Sequence, residues 1–224
     1  MTPKELNSFG LYAKDHGINS LDLHRFNTNI ESSMTPYILE ERSMNVTVMD
    51  VFSRLMMERI IWVAGEVNDH MSTIVQAQLM FLDSLDNLDI TMHIDSPGGS
   101  VKSGLSMVDV MDYINSDIRT INTGMAASMG SVLLGAGTKG KRGSLRFSRT
   151  MLHQSSGGAG GNIQDARITF QEWEKVNDTL FELLGGYCGK SAEQVKSDAS
   201  RDLWLGADEA LSYGIIDEIV KKKK

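Results

Sequence analysis

The chemistry this sequence can do is concentrated in two glycine-rich breaks and a few histidines. The first break, Ser96-Pro97-Gly98-Gly99, follows an alternating apolar run. Glycine lets main-chain N–H groups approach a ligand closely, and such a turn can supply half of an oxyanion hole. It is neither GxxxxGK[ST] nor GxGxxG, so it is not a nucleotide loop of either kind. A tight strand-to-helix connection is the competing reading. The second break is Gly124-Met125-Ala126-Ala127-Ser128-Met129-Gly130. Here Ser128 precedes small residues at a helix start, with exposed N–H groups and a positive helix end beside its oxygen. Glycine stands four residues before the serine, not two, which departs from the GxSxG elbow of α/β-hydrolases. On local sequence alone an ordinary N-cap is the simpler role for Ser128.

A nucleophilic serine needs a base and a group to orient that base. Of five histidines, His16 and His24 lie in a polar amino-terminal stretch. His70 begins a helix and His93 alternates onto the polar face of a strand. His153, at a strand end before a glycine run, is placed to face a cleft, although a lone histidine is more often structural. Cys188 lies in a glycine-flanked turn with no histidine near in sequence, which argues against a cysteine nucleophile.

These groups must be positioned by alternating strands and helices. Residues 60–64 read as a short buried strand. A helix follows, with Asn68 or Asp69 as N-cap and Met71, Val75, Leu79, Leu82 and Leu85 at helical spacing. Residues 90–94 alternate strictly, with Ile90, Met92 and Ile94 on one face. The next helix carries Gly104, Met107, Val108, Met111 and Ile114 on one stripe. Residues 118–123 form a strand punctuated by Gly124, 126–135 a small-residue helix, 139–143 a turn and 150–153 a strand. A long helix over 163–184, a helix capped by Ser191 and a last strand over 215–220 complete the chain. Repeated strand-helix units predict an α/β domain with a largely parallel sheet.

The chain has 224 residues, with 22 basic and 29 acidic side chains giving a formal charge of -7. That length predicts one main domain over 34–220, with a leader over 1–33 and a lysine tail over 221–224. The single cysteine excludes a disulfide framework and a Cys-cluster zinc site. No apolar run approaches the roughly 18 residues of a membrane span, and the first residues lack a secretory apolar core. Net acidity argues against phosphate-driven nucleic-acid binding. The 14 methionines read as adaptable core packing.

Taken in order, Ser96-Pro97-Gly98-Gly99, the GMAASMG of 124–130, Gly137-Thr138-Lys139-Gly140-Lys141-Arg142 and Met151-Leu152-His153-Gln154 resemble the motifs of a family. That family is the Clp protease proteolytic subunit, the serine peptidase of the ATP-dependent Clp machinery. Phe52-Ser53-Arg54-Leu55, Glu58-Arg59, Gly65, Asp69-His70-Met71, Glu209-Ala210 and Tyr213–Asp217 add to the likeness, which spans residues 34–220.

The resemblance implies a crotonase-like α/β fold with a head and a protruding handle helix, over 163–184. Ser128 would be the nucleophile, His153 the general base and then acid, and Asp202 the orienting carboxylate, with Asp198 a fallback. The N–H groups of Gly99 and Met129 would form the oxyanion hole. An unfolded chain would lie extended against Gly98, Ser100 and Val101 on one side and Gln154, Ser155 and Ser156 on the other, by strand addition. No metal or cofactor is implied, since ATP is used by a hexameric Clp-type ATPase partner. Self-association into heptameric rings stacked as a tetradecamer, with the handle stripe (Ile163, Ala166, Phe170, Trp173, Leu180, Leu184) between rings, a cytoplasmic location and removal of the leader near residues 32–34 are also implied.

Three departures from the family pattern stand out. Ser155 replaces a proline after His153-Gln154, which would loosen the substrate-side strand and add a donor. Thr91 and His93 replace tyrosines of the outer pocket that receives a loop of the ATPase, although Tyr113 keeps an aromatic nearby. Residues 42–47 lack the charged, glycine-containing turn expected at the axial gate. A non-catalytic subunit of a mixed barrel and an acyl-CoA hydratase or isomerase are the alternative readings. The latter would not need Ser128, His153 and Asp202 together.

Overall fold

A computed structural model describes residues 37–42, 45–158 and 161–221. The expected leader, its cleavage site and the end of the lysine tail lie outside the described residues. The chain divides into two units, Met1–Glu58 and Arg59–Lys224. In the first, β1 (Tyr37–Arg42) pairs antiparallel with β2 (Asn45–Asp50), Tyr37 opposite Asp50. Helix α1 (Val51–Met57) starts at Asp50, whose carboxylate accepts the Ser53 N–H at 3.0 Å as an N-cap.

The second unit is built on a seven-stranded sheet. Along the chain run β3 (Ile60–Ala64), α2 (Asp69–Leu85), β4 (Ile90–Ser96), α3 (Val101–Tyr113), β5 (Ile118–Ala127) and α4 (Met129–Gly135). They are followed by β6 (Gly143–Ser144), β7 (Arg149–Leu152), α5 (Ile163–Cys188), α6 (Ala192–Asp198), β8 (Leu203–Leu205), α7 (Ala207–Tyr213) and β9 (Glu218–Ile219). The strand order is β3-β4-β5-β6-β9, with β7 beside the far end of β5 and β8 beyond β7. Every pairing is parallel except β7–β8. The expected α/β class and largely parallel sheet are therefore what the chain forms.

The periodicities explain the core. Ile90, Met92 and Ile94 of β4 are fully buried, and Val75, Leu79 and Leu82 of α2 and Met107, Val108 and Met111 of α3 are buried as well. Asn68, rather than Asp69, caps α2 by accepting the Met71 N–H at 2.9 Å. Leu85, in the last turn of α2, is exposed. A buried guanidinium closes the carboxyl-terminal end: Arg142 donates twice to Asp217, at 2.6 and 2.8 Å, and also to the carbonyls of Tyr187 and Gly214. Burial alone would raise the Asp217 pKa, but these bonds and the Gly140 and Arg142 N–H groups outweigh it and hold the carboxyl below its usual range.

Four expectations on element limits are corrected. Strand β5 runs straight through Gly124 because a close neighbour, not a chain break, requires glycine there: a Cβ would sit 2.5 Å from the Asp95 carboxylate. Helix α4 consequently starts at Met129, three residues later than 126. The handle helix α5 continues four residues beyond 184, to Cys188. The last strand shrinks to Glu218–Ile219, because Ile215 and Ile216 are buried in the turn after α7. Short β8 and α7 carry too few residues to show a period, and the sequence did not reveal them.

Candidate active site

Sheet register assembles the site. Parallel pairing of β4 and β5 sets Ser96 opposite Ala126, which brings the Gly98-Gly99 turn alongside Ser128. A Cβ on Gly98 would lie 2.6 Å from the Ser128 Cβ and 3.0 Å from the Met129 nitrogen. Parallel pairing of β5 and β7 sets Ala127 opposite Met151, and the Ser128 N–H donates to the Met151 carbonyl at 2.9 Å. That puts Ser128 next to the end of β7, where His153 follows. Antiparallel pairing sets Leu152 opposite Leu203, so His153 falls opposite Asp202. The His153 Nδ1 stands 3.4 Å from Asp202 Oδ1. This is an ion-pair distance, longer than a good N–H···O hydrogen bond.

Ser128 is not an ordinary cap. Its side chain makes no capping bond, and its backbone sits at φ 53°, ψ -123°. A non-glycine residue there stores about 1–3 kcal/mol of strain, which persists only when the surroundings over-determine it. They do: besides the Met151 bond, the Ser128 carbonyl accepts the Ser131 hydroxyl at 2.6 Å and its N–H at 2.9 Å. Among the described residues the Ser128 hydroxyl is left without a hydrogen bond. So are the N–H groups of Gly99 and Met129, although the neighbouring Ser100 N–H donates to Val67 and the Gly98 N–H to the Ser96 hydroxyl. Two vacant donors thus flank a serine held in a strained turn.

A cleft of about 20 Å³ is lined by Ser128, Met129, His153, Ser155, Leu180 and Phe181 among others. A larger cavity of about 700 Å³ between α3 and α5 is lined by Gly99, Ser100, Val101, Ser155, Ser156 and Trp173 among others. Of the expected substrate-side residues, Gly98 and Gln154 line neither. Asp198 is not beside His153. It accepts the Tyr213 hydroxyl at 2.9 Å and the Gln194 amide at 2.7 Å, so the carboxylate next to the imidazole is Asp202. Burial pushes the Cys188 thiol up to about 11, unlike an activated nucleophile. His93 stacks on Trp62 with ring centroids 4.9 Å apart, its buried Nδ1 without a partner among the described residues, while Tyr113 is exposed.

Ser155 adds the expected donor to the segment after His153. The N–H and hydroxyl of Ser155 both donate to Asn177 Oδ1 of α5, at 3.1 and 2.9 Å. Asn177, which also lines the small cleft, was not singled out from sequence. Its signal was faint: one polar residue among the apolar positions of the inner half of a long helix.

The comparisons decide the family. The family model described as Clp protease matches residues 42–223. An ATP-dependent Clp protease proteolytic subunit of Bacteroides fragilis strain YCH46 is 48% identical over 220 residues, covering 97% of this chain and 100% of that protein. The protein of the same name from Porphyromonas gingivalis W83 is 48% identical over 222 residues, covering 98% and 100%. The chain belongs to the Clp protease family. Its α/β domain is the Clp peptidase fold, and its enzyme class is that of a serine-type endopeptidase, the proteolytic subunit of a Clp protease. Among the described residues no helix is long and apolar enough to cross a membrane.

Proposed function

We propose that this subunit hydrolyses peptide bonds of unfolded chains through Ser128, His153 and Asp202. The observation that carries the assignment is the pair of vacant N–H groups, Gly99 and Met129, flanking a strained Ser128 whose strand register sets it beside His153. Ser128 Oγ attacks the carbonyl carbon while His153 Nε2 takes its proton; Asp202, at Nδ1, fixes the tautomer and stabilises the imidazolium. The carbonyl oxygen becomes an oxyanion between the two N–H groups, a contribution of about 2.7–4 kcal/mol per donor in comparable sites. Collapse expels the amine, which takes the proton from His153, and leaves an acyl-serine. Water, deprotonated by the same imidazole, then releases the carboxylate and restores Ser128.

The cavity along Gly99–Val101 and Ser155–Ser156 suits an extended substrate. A hexameric Clp-type ATPase would supply unfolded chains and consume the ATP, and heptameric rings stacked as a tetradecamer would enclose the sites in the cytoplasm. The exposed Ile163, Ile168 and Phe170 on the outer half of α5 support a subunit contact there. Removal of the leader by the enzyme itself belongs to the same reading.

The test is the intact mass of the assembled protein after reaction with a fluorophosphonate, with Ser128→Ala alongside. One adduct on the wild type and none on the variant is expected. An assembled barrel that takes no adduct would instead be a non-catalytic ring subunit.

A further inference from the structure

Strand β5 is continuous, but its pairing with β4 is not. Ile94 lies opposite Asn122 and Ser96 opposite Ala126, so two steps along β4 span four along β5. Asp95 alone therefore faces Thr123, Gly124 and Met125, a β-bulge with two extra residues. Gly98 lies two residues beyond Ser96, and Ser128 two beyond Ala126, so the bulge is what sets that turn against the serine. Without it Ser96 would face Gly124, and Ser128 would fall about 6–7 Å further along. A bulge takes N–H groups out of the ladder, and side chains receive them here. Asp95 Oδ1 accepts the Met125 N–H at 2.9 Å, and Asn122 Oδ1 accepts the Gly124 N–H at 3.2 Å. Asp95 acts from a fixed backbone, since it pairs with Ala64 of β3 and its carbonyl accepts the Gly65 N–H at 2.9 Å. Gly124 makes room for its carboxylate: an added Cβ would meet Oδ1 at 2.5 Å, Cγ at 2.8 Å and Oδ2 at 3.0 Å.

Given the serine-peptidase reading of Ser128, we propose that Asp95 is a positioning residue for the nucleophile. Its carboxylate holds the bulge from β4, and the bulge fixes how Ser128 and the Met129 N–H stand against the Gly98-Gly99 turn. Asp95 itself moves no proton and binds no oxyanion. Asn122 holds the bulge from the other side: fully buried, its Nδ2 donates to the Arg149 carbonyl at 2.9 Å and to Thr150 Oγ1 at 3.2 Å, both in β7. Asp95 is exposed, so replacing it removes one bond and little packing. Among the described residues, the side-chain bond then left from the bulge to β4 is that of the Thr123 hydroxyl to the Ile94 carbonyl, at 3.2 Å. A shift of about 1 Å between turn and serine costs about a hundredfold in rate.

The experiment follows fluorophosphonate labelling of the assembled protein over time by intact mass. The rate constant belongs to the molecules that react, whereas misfolding lowers only the final labelled fraction. A merely structural role therefore changes the extent and leaves the rate constant alone. Asp95→Ala is expected to slow labelling by about tenfold to a hundredfold. Asp95→Asn, whose amide oxygen still accepts the Met125 N–H, should stay within about threefold of wild type. Gly124→Ala crowds the same bond from the other strand and should slow labelling alike. It should add nothing in the Asp95→Ala background, where the atoms its Cβ meets are gone. Asp95→Ala within about threefold of wild type, equal losses in Asp95→Ala and Asp95→Asn, or additive losses with Gly124→Ala each overturn the proposal alone. If Asp95→Ala does not assemble, Gly124→Ala decides: a rate within about threefold of wild type overturns the proposal. A wild type that takes no adduct overturns it together with the peptidase reading.

Discussion

Replacing Gly98 by alanine tests whether the two halves of the oxyanion site are built against each other. The added Cβ would stand 2.6 Å from the Ser128 Cβ, 2.8 Å from the Ala127 carbonyl and 3.0 Å from the Met129 nitrogen. Carbons in contact settle near 3.5–4.0 Å, so the turn and Ser128 must part by about 1 Å. None of the three can yield by rotating a flexible chain, because each belongs to the backbone or to its first carbon. The left-handed φ of 97° at Gly98 adds strain. A misplacement of about 1 Å costs about a hundredfold in rate, and loss of one oxyanion donor about 10²–10³. The expected result is a fall in kcat/KM for a short peptide of about a hundredfold or more, matched by slower fluorophosphonate labelling. Gly140→Ala is the control: φ is also left-handed, at 90°, but nothing lies within 4 Å of the added carbon. It should cost about 1–2 kcal/mol of stability and leave kcat/KM within about threefold. A folded Gly98→Ala protein with kcat/KM within about threefold of wild type would refute the close-packing argument.

Arg142→Ala strands the Asp217 carboxylate and should cost about 3–5 kcal/mol, a fall of roughly 6–20 °C in the melting temperature, without changing residue preference at the cleaved bond. A loss below about 1 kcal/mol would show the network to be ornamental. Burial, and then Arg119, hold the His93 pKa below its ordinary value, so the unfolded chain takes up that proton first and stability drops as the pH falls below about 6.5. Comparison with His93→Phe, by denaturant unfolding between pH 7 and 5, should therefore move in the variant's favour as the pH falls; a pH-independent difference contradicts it. Asp217, held low, binds its proton more readily unfolded, and its contribution is lost below about pH 4. Inserting one glycine between Asp202 and Leu203 carries the carboxylate about 3.3 Å along while leaving every β8 residue in place. Its loss of activity should match that of Asp202→Asn, and the two combined should cost no more than either; additive losses would mean that β8 serves something else.

Elements that bury one face were legible in the sequence because burial imposes a period. The β3 bounds, the Ile90-Met92-Ile94 face and the α3 stripe follow from that alone. Gly124 misled for a physical reason: glycine marks either a break or a close approach, and only the fold shows that Asp95 lies against it. The site was legible in part. The two glycine-rich breaks could be read as donors for an oxyanion, but Asp202 had no local signal, because β8 is three residues long and orients it only through pairing with β7. Asn177 gave only a faint signal for a similar reason, since its partner lies 22 positions away on a segment without regular structure.

The same registers divide the site into a firm half and a loose half. Met129 is buried, Gly99 is exposed but flanked by the Gly98 carbonyl and Ser100 N–H that both bond to Val67, and the turn of Ser128 is tied to β7 and to its own helix, so the proposed oxyanion donors are pre-positioned within a single chain. The proposed base is held less tightly. His153 stands one residue beyond a four-residue strand, and the Asp202 side chain is 60% exposed, 3.4 Å from the ring. An exposed pair of this kind contributes about 0–1 kcal/mol, too little by itself to hold an imidazole against rotation into water. In one chain, then, the groups proposed to bind the developing charge are fixed by backbone bonds, while those proposed to move the proton depend on two short strands. Enclosure of β7 and β8 by a neighbouring subunit would bring the pair out of water and strengthen its attraction, without altering the turn that holds Ser128.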